Sequence, residues 1–222
     1  MVIRRLQQQR SSLQASKWWF LGATICVPAS ALLVASSFIN IGATKADGNL
    51  IAELVLGLCF LMGGAFLFGF RALGFRPPHF FSKFVFVALF PLMGIILLNG
   101  LGNQFANLNL GEVNLLEVSI TGFWEETVFR GFLLAVWIRF FGIEHPVSRL
   151  TFLAVSAFLF GIIHPNQGAE LFFRSGLGLM FATVLVYTQS VYIPMLLHAL
   201  NNALIIGSSA DEKVKIIGFV VL

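Results

Sequence analysis

Leu115–Phe141, LLEVSITGFWEETVFRGFLLAVWIRFF, is the stretch on which the fold turns. It is long enough to cross a bilayer as a helix, which takes about 20 predominantly apolar residues. Yet its centre holds Glu125, Glu126 and Arg130. An ionised side chain at that depth costs about 3 kcal/mol against lipid, so such groups turn inward and pair, and they mark functional sites. Two later apolar runs carry polar intrusions of their own, His164 in one and His198 with Asn202 in the other.

The rest of the chain agrees with a membrane protein. Of its 222 residues 58% are hydrophobic, 25 are Phe and only 11% are charged; the mean hydropathy is +0.88. A typical soluble domain carries about 25% charged residues. The net charge of +4 is spread between apolar runs instead of forming a stripe, so no nucleic-acid partner is expected. Cys26 and Cys59 both lie inside apolar runs, as small core residues do, which argues against a disulfide framework or a thiolate metal site.

The expected fold is all-α, a polytopic transmembrane bundle of about seven spans with a short partial helix at the C-terminus. The apolar runs cover 18–41, 50–73, 80–101, 114–141, 148–165, 170–188 and 190–208, and the final segment is Ile216–Leu222. A basic tail with Arg4, Arg5, Arg10 and Lys17 precedes the first run, which reads as a retained span, being longer than the apolar part of a signal peptide. Asn99–Asn114, rich in Asn and Gly, reads as an outer loop. The division expected is 1–112, the N-terminal segment with three spans, and 113–222, the core that carries the polar groups. With the N-terminus cytoplasmic, nine Lys and Arg fall on that side and four on the other, the bias that orients helical membrane proteins. The fourth span then runs inward and sets Glu125 and Glu126 roughly 15 Å from its start, at about 1.5 Å per residue.

Glu126 and Arg130 are i and i+4, on one helical face, while Glu125 points about 100° away. One carboxylate can therefore be neutralised by Arg130 while the other faces a cavity, free to take a proton from water. A buried ion pair that merely holds helices together accounts equally well for Glu126 and Arg130. His164 precedes Pro165, which biases it away from helical geometry and can aim its ring into a cavity; alone, it could equally reach for the headgroups. His198 and Asn202, again i and i+4, offer paired donors to a developing oxyanion, or hydrogen bonds between helices. One carboxylate with two histidines could also hold zinc. The chain has no His-Glu-x-x-His, Gly-x-Ser-x-Gly or P-loop pattern.

Glu125-Glu126-x-x-x-Arg130, Phe160-x-x-x-His164 and His198-x-x-x-Asn202, in this order on successive apolar helices, resemble the CPBP intramembrane proteases. That family takes in the CAAX prenyl endopeptidases of type II and bacterial relatives tied to bacteriocin processing and immunity. The likeness is good over about residues 115–208, including Arg130-Gly131-Phe132 and the stretch from Tyr192 to His198; the first three spans share only hydrophobicity and the linker from Leu73 to Arg76. The resemblance implies an endopeptidase in which Glu125 and His164 activate a water, His198 and Asn202 stabilise the oxyanion, and Glu126 and Arg130 support the site. It implies a glutamate mechanism without a cofactor, although relatives carry a metalloprotease label; a zinc ion, if bound, would sit on Glu125, His164 and His198. The partners implied are the lipid bilayer and a membrane-embedded or lipid-anchored protein or peptide, the location an integral, multi-pass one, in the plasma membrane if the source is bacterial. The alternatives are a transporter or proton relay, which intramembrane Glu, Arg and His also mark, and a non-catalytic immunity or binding protein of the same fold.

Overall fold

The computed structural model describes residues 17–38, 45–78, 94, 113–164 and 169–208. The expected third span at 80–101 (apart from 94), most of the outer loop and the C-terminal segment Ile216–Leu222 lie outside them. The described residues are all-helical, with no strand among them. In chain order they form α1 (Lys17–Phe38), α2 (Lys45–Phe68), α3 (Leu115–Glu126), a π-helical segment (Thr127–Phe132), α4 (Leu133–Phe140), α5 (Pro146–Ile162), α6 (Ala169–Thr188) and α7 (Tyr192–Ser208). The backbone stays helical through both ends of the π segment, so α3, that segment and α4 make one rod.

By length and composition three helices suffice to cross a membrane, over Phe20–Phe38, Gly48–Phe68 and Leu171–Thr188, while α5 and α7 are shorter apolar helices. The outward faces are apolar, with Leu33, Phe66, Phe172 and Leu196 largely exposed, which suits a bundle whose solvent is lipid. Several hydroxyls inside the helices return to their own backbone, Thr24 to the Phe20 carbonyl and Thr188 to that of Val184, which satisfies these donors within the helix.

Local chemistry sets the ends. Asn114 caps α3, its Oδ1 accepting from the Leu116 and Glu117 amides at 3.1 and 3.3 Å. α5 starts at Pro146 in the first helical position behind His145, whose Nδ1 accepts from the Val147 amide. α2 stops at Phe68, earlier than the apolar run to 73 suggests, because Gly69 turns to φ 82° and a tight turn follows. α7 likewise begins at Tyr192, after the break at Gln189 and Ser190.

Phe20 at the start of α1 meets Phe68 and Phe140, the last residues of α2 and α4. The Val191 amide donates to the Gly74 carbonyl at 2.9 Å. The α1 N-terminus, the α2 and α4 C-termini and the α6–α7 turn thus share one end of the bundle. α3 packs against α2 and α7, and α5 against α6. Buried apolar clusters fill these contacts, Ala31, Phe60, Leu73 and Phe132 in one and Leu177, Phe181, Val184 and Leu197 in another.

Candidate functional site

Glu126 and Arg130 are both fully buried, and Arg130 Nη1 lies 3.0 Å from Glu126 Oε1. The pairing expected from i, i+4 spacing is present, although the π segment begins between the two. π-helical turns are rare and gather at functional sites. Arg130 Nη2 donates to the Gly178 carbonyl of α6 at 3.1 Å. Its guanidinium carbon sits 4.3 Å from the Phe160 ring centre and 5.4 Å from that of Phe181, so rings substitute for water around a buried cation.

The same Glu126 oxygen has a second partner. His198 Nδ1 lies 2.8 Å from it, and since a carboxylate only accepts, Nδ1 carries the proton. His198 Nε2 then faces the other glutamate, 3.8 Å from Glu125 Oε2. His164 shows the same polarity, with Nδ1 at 2.8 Å from the Phe160 carbonyl, which also only accepts, and Nε2 3.9 Å from Glu125 Oε2. An imidazole on α7 and one just past the end of α5 thus present Nε2 to one carboxylate oxygen, which is buried and has no hydrogen-bond partner among the described residues.

Aromatic rings hold the imidazoles in place. Phe181 stacks on His198 with 22° between the planes, and Phe160 contacts His164 and His198 at 5.0 and 5.6 Å between centres. Glycines let the backbones close in. A Cβ on Gly122 would lie 3.1 Å from the Met195 carbonyl and 3.3 Å from the Ala199 amide; one on Gly178 would lie 3.1 Å from Ala157 Cα. Gly122 is one turn before Glu126 and Ala199 adjoins His198, so this close approach of α3 and α7 is what lets carboxylate and imidazole meet.

Glu125, His164, His198 and Asn202 line a cavity of about 260 Å³, walled also by Glu117, Thr121 and Arg174. Asn201 Nδ2 donates to Asn202 Oδ1 at 3.4 Å, which leaves the Asn202 amide nitrogen as its donor toward the cavity. Every residue singled out in the sequence is therefore at this locus, Glu126 and Arg130 behind the wall and the other four on it. Sequence reading missed Glu53 of α2, which accepts from Thr121 Oγ1 at 2.8 Å. Glu53 interrupts an apolar run as Glu125 does, and the same signal finds it. Among the described residues no group of three His, Cys, Asp or Glu side chains is arranged to hold a metal ion. Tetrahedral zinc, with bonds of about 2.0–2.1 Å, draws its ligand atoms to roughly 3.4 Å from one another, closer than the 3.8 and 3.9 Å found here.

A protected carboxylate, nitrogen lone pairs and an amide donor around one cavity can take a proton from water and steady an oxyanion. No curated protein and no solved structure matches the chain. One protein-family model does, that of the Rce1-like type II CAAX prenyl endopeptidases, over residues 113–204. The matched segment runs from the cap of α3 into α7 and contains all six polar motif residues, so residues 113–204 of the chain are similar to the Rce1-like type II CAAX prenyl endopeptidases.

Proposed function

We propose that the protein is an intramembrane endopeptidase that hydrolyses a peptide bond of a membrane-embedded or lipid-anchored substrate, with Glu125 as the proton acceptor. The observation that carries this reading is the Glu125 oxygen, buried, without a hydrogen-bond partner among the described residues, and faced by two imidazole nitrogens at 3.8 and 3.9 Å. A water lying about 2.8 Å from each acceptor bridges Glu125 Oε2 and His164 Nε2 without strain. It gives one proton to Glu125 as its oxygen attacks the scissile carbonyl, and His164 supports the transfer. Asn202 meets the oxyanion through its amide N–H. The proton on Glu125 then passes to the leaving amine, the peptide C–N bond breaks, and the new carboxyl and amine depart.

His198 serves this scheme through charge balance. Glu125 and Glu126 bring two negative charges into a buried cluster in which Arg130 supplies one positive charge. His198 stands between the two carboxylates, and as an imidazolium it is a second oxyanion donor through Nε2, 3.8 Å from Glu125 Oε2, with Glu126 at Nδ1 stabilising that form, as a buried carboxylate does in Ser-His-Asp triads. The similarity of residues 113–204 to an endopeptidase family favours proteolysis over the transport reading.

Comparison of protein termini in membranes of cells with the wild-type protein and with Glu125→Gln tests the proposal. A set of new termini that appears only with the wild type supports it. Identical termini in both strains, with both proteins present at equal level, count against it.

A further inference from the structure

A second cavity, of about 240 Å³, lies at the other end of the bundle, where the α1 N-terminus and the α6–α7 turn sit. Three guanidinium groups line it, from Arg71 and Arg76 in the turn after α2 and from Arg149 in the first turn of α5. Its remaining walls are mainly apolar, including Leu134, Ile138 and Leu185. We propose that this cavity binds the phosphate of an anionic phospholipid headgroup.

Among the described residues the arginines converge without a counter-charge. Arg76 is held in place, Nε donating to the Gln189 carbonyl at 2.7 Å and Nη2 to Gln189 Oε1 at 2.6 Å. Gln189 is itself fixed in the left-handed region at φ 57°, a conformation few residues other than Gly adopt. Among the described residues the Arg149 side chain makes one long contact of 3.5 Å, from Nη2 to the Ile143 carbonyl. Among the described residues no carboxylate forms an ion pair with any of the three, and the sequence has no Asp or Glu anywhere from 54 to 111. Burial, and then the charge of Arg71, push the Arg76 guanidinium down from its ordinary pKa, so the groups sit under mutual repulsion that an anion relieves. Planar guanidinium forks match phosphate oxygens in pairs.

The depth and the walls point to a lipid instead of a soluble anion. The membrane-crossing stretch Leu171–Thr188 ends at this cavity, and Tyr187 stands exposed on its rim, as aromatic side chains do at headgroup level. A volume of 240 Å³ lies under the ~300 Å³ at which drug-sized ligand pockets begin, so a headgroup enters while the acyl chains stay on the apolar flank. The Lys and Arg count along the sequence makes this the cytoplasmic end, where anionic lipids face such basic pockets.

Native mass spectrometry of the full-length protein in detergent tests this, with phosphatidylglycerol, phosphatidylcholine or inorganic phosphate added at equal concentration. The expected result is phosphatidylglycerol retained about tenfold over phosphatidylcholine, with the double substitution Arg71→Gln and Arg149→Gln lowering it to the phosphatidylcholine level. Equal retention of both lipids by the wild type overturns the proposal and needs no variant to fold. Displacement of phosphatidylglycerol by an equal concentration of inorganic phosphate overturns the lipid assignment and leaves a soluble-anion site. Unchanged retention in the double variant overturns the role of the arginines.

Discussion

Replacing Arg130 by Met removes the cation on which the buried cluster depends while keeping much of its apolar volume. Three contacts are lost: the 3.0 Å pair with Glu126, the 3.1 Å hydrogen bond to the Gly178 carbonyl, and the stacking over Phe160 and Phe181. Breaking a buried pair by removing one partner costs about 3–5 kcal/mol, because the other charge stays behind. Glu126 keeps His198 at 2.8 Å, which sets the expected loss near the lower figure. Methionine still packs against the rings and offsets part of the lost cation–π contact, itself about 2 kcal/mol in a desolvated site. The net destabilisation expected for Arg130→Met is about 3 kcal/mol. Adding Glu126→Gln removes the stranded charge, so the double variant recovers about 2 kcal/mol, a strong coupling. Reversible unfolding in mixed micelles, followed by circular dichroism, measures both. A loss below about 1 kcal/mol for Arg130→Met, or purely additive effects in the double variant, refutes the coupled buried pair.

Three further outcomes are expected. Gly122→Val forces α3 away from the Met195 carbonyl and the Ala199 amide, costing about 1–3 kcal/mol and most of the proteolytic rate; retention of both in stability and activity assays contradicts the close-approach argument. Asn202→Ala removes one oxyanion donor and lowers kcat about 10²–10³-fold with KM nearly unchanged; steady-state kinetics showing a change in KM alone assigns Asn202 to substrate binding. The purified protein keeps its activity after exhaustive chelation, since the proposed chemistry runs on Glu125 and His164; loss on chelation that zinc restores, with one bound metal per chain by elemental analysis, contradicts the glutamate mechanism.

The residues of the candidate site stood out in the sequence because lipid makes charge expensive. In water Glu125, Glu126 and Arg130 would be three unremarkable surface residues; inside an apolar run each needs a reason. Helical spacing then paired Glu126 with Arg130 and His198 with Asn202, and the structure brings both pairs to one locus. What spacing does not encode is contact between helices. The second partner of Glu126, the Nδ1 of His198, depends on how close α7 comes to α3, which Gly122 decides only once the two helices are aligned. The aromatic box of Phe160 and Phe181 around Arg130 is hidden for a related reason: with 25 Phe in the chain, no single one stands out. The π segment leaves no mark in hydrophobic periodicity, being a local change in hydrogen-bond register. Helix ends moved by several residues where a turn overrode hydrophobicity, as at Gly69, where the backbone leaves the helix although the sequence stays apolar.

The central claim is that Glu125 takes the proton from the attacking water. Glu125→Gln keeps the shape of the side chain and removes its basicity, so the comparison to make is cleavage of a substrate identified from the membrane termini, in proteoliposomes, by wild type and by Glu125→Gln at matched folding stability. The account predicts a rate lowered by about 10²–10⁴-fold, the contribution of a positioned general base, with substrate still bound. Cleavage by Glu125→Gln within about twofold of the wild type would contradict it.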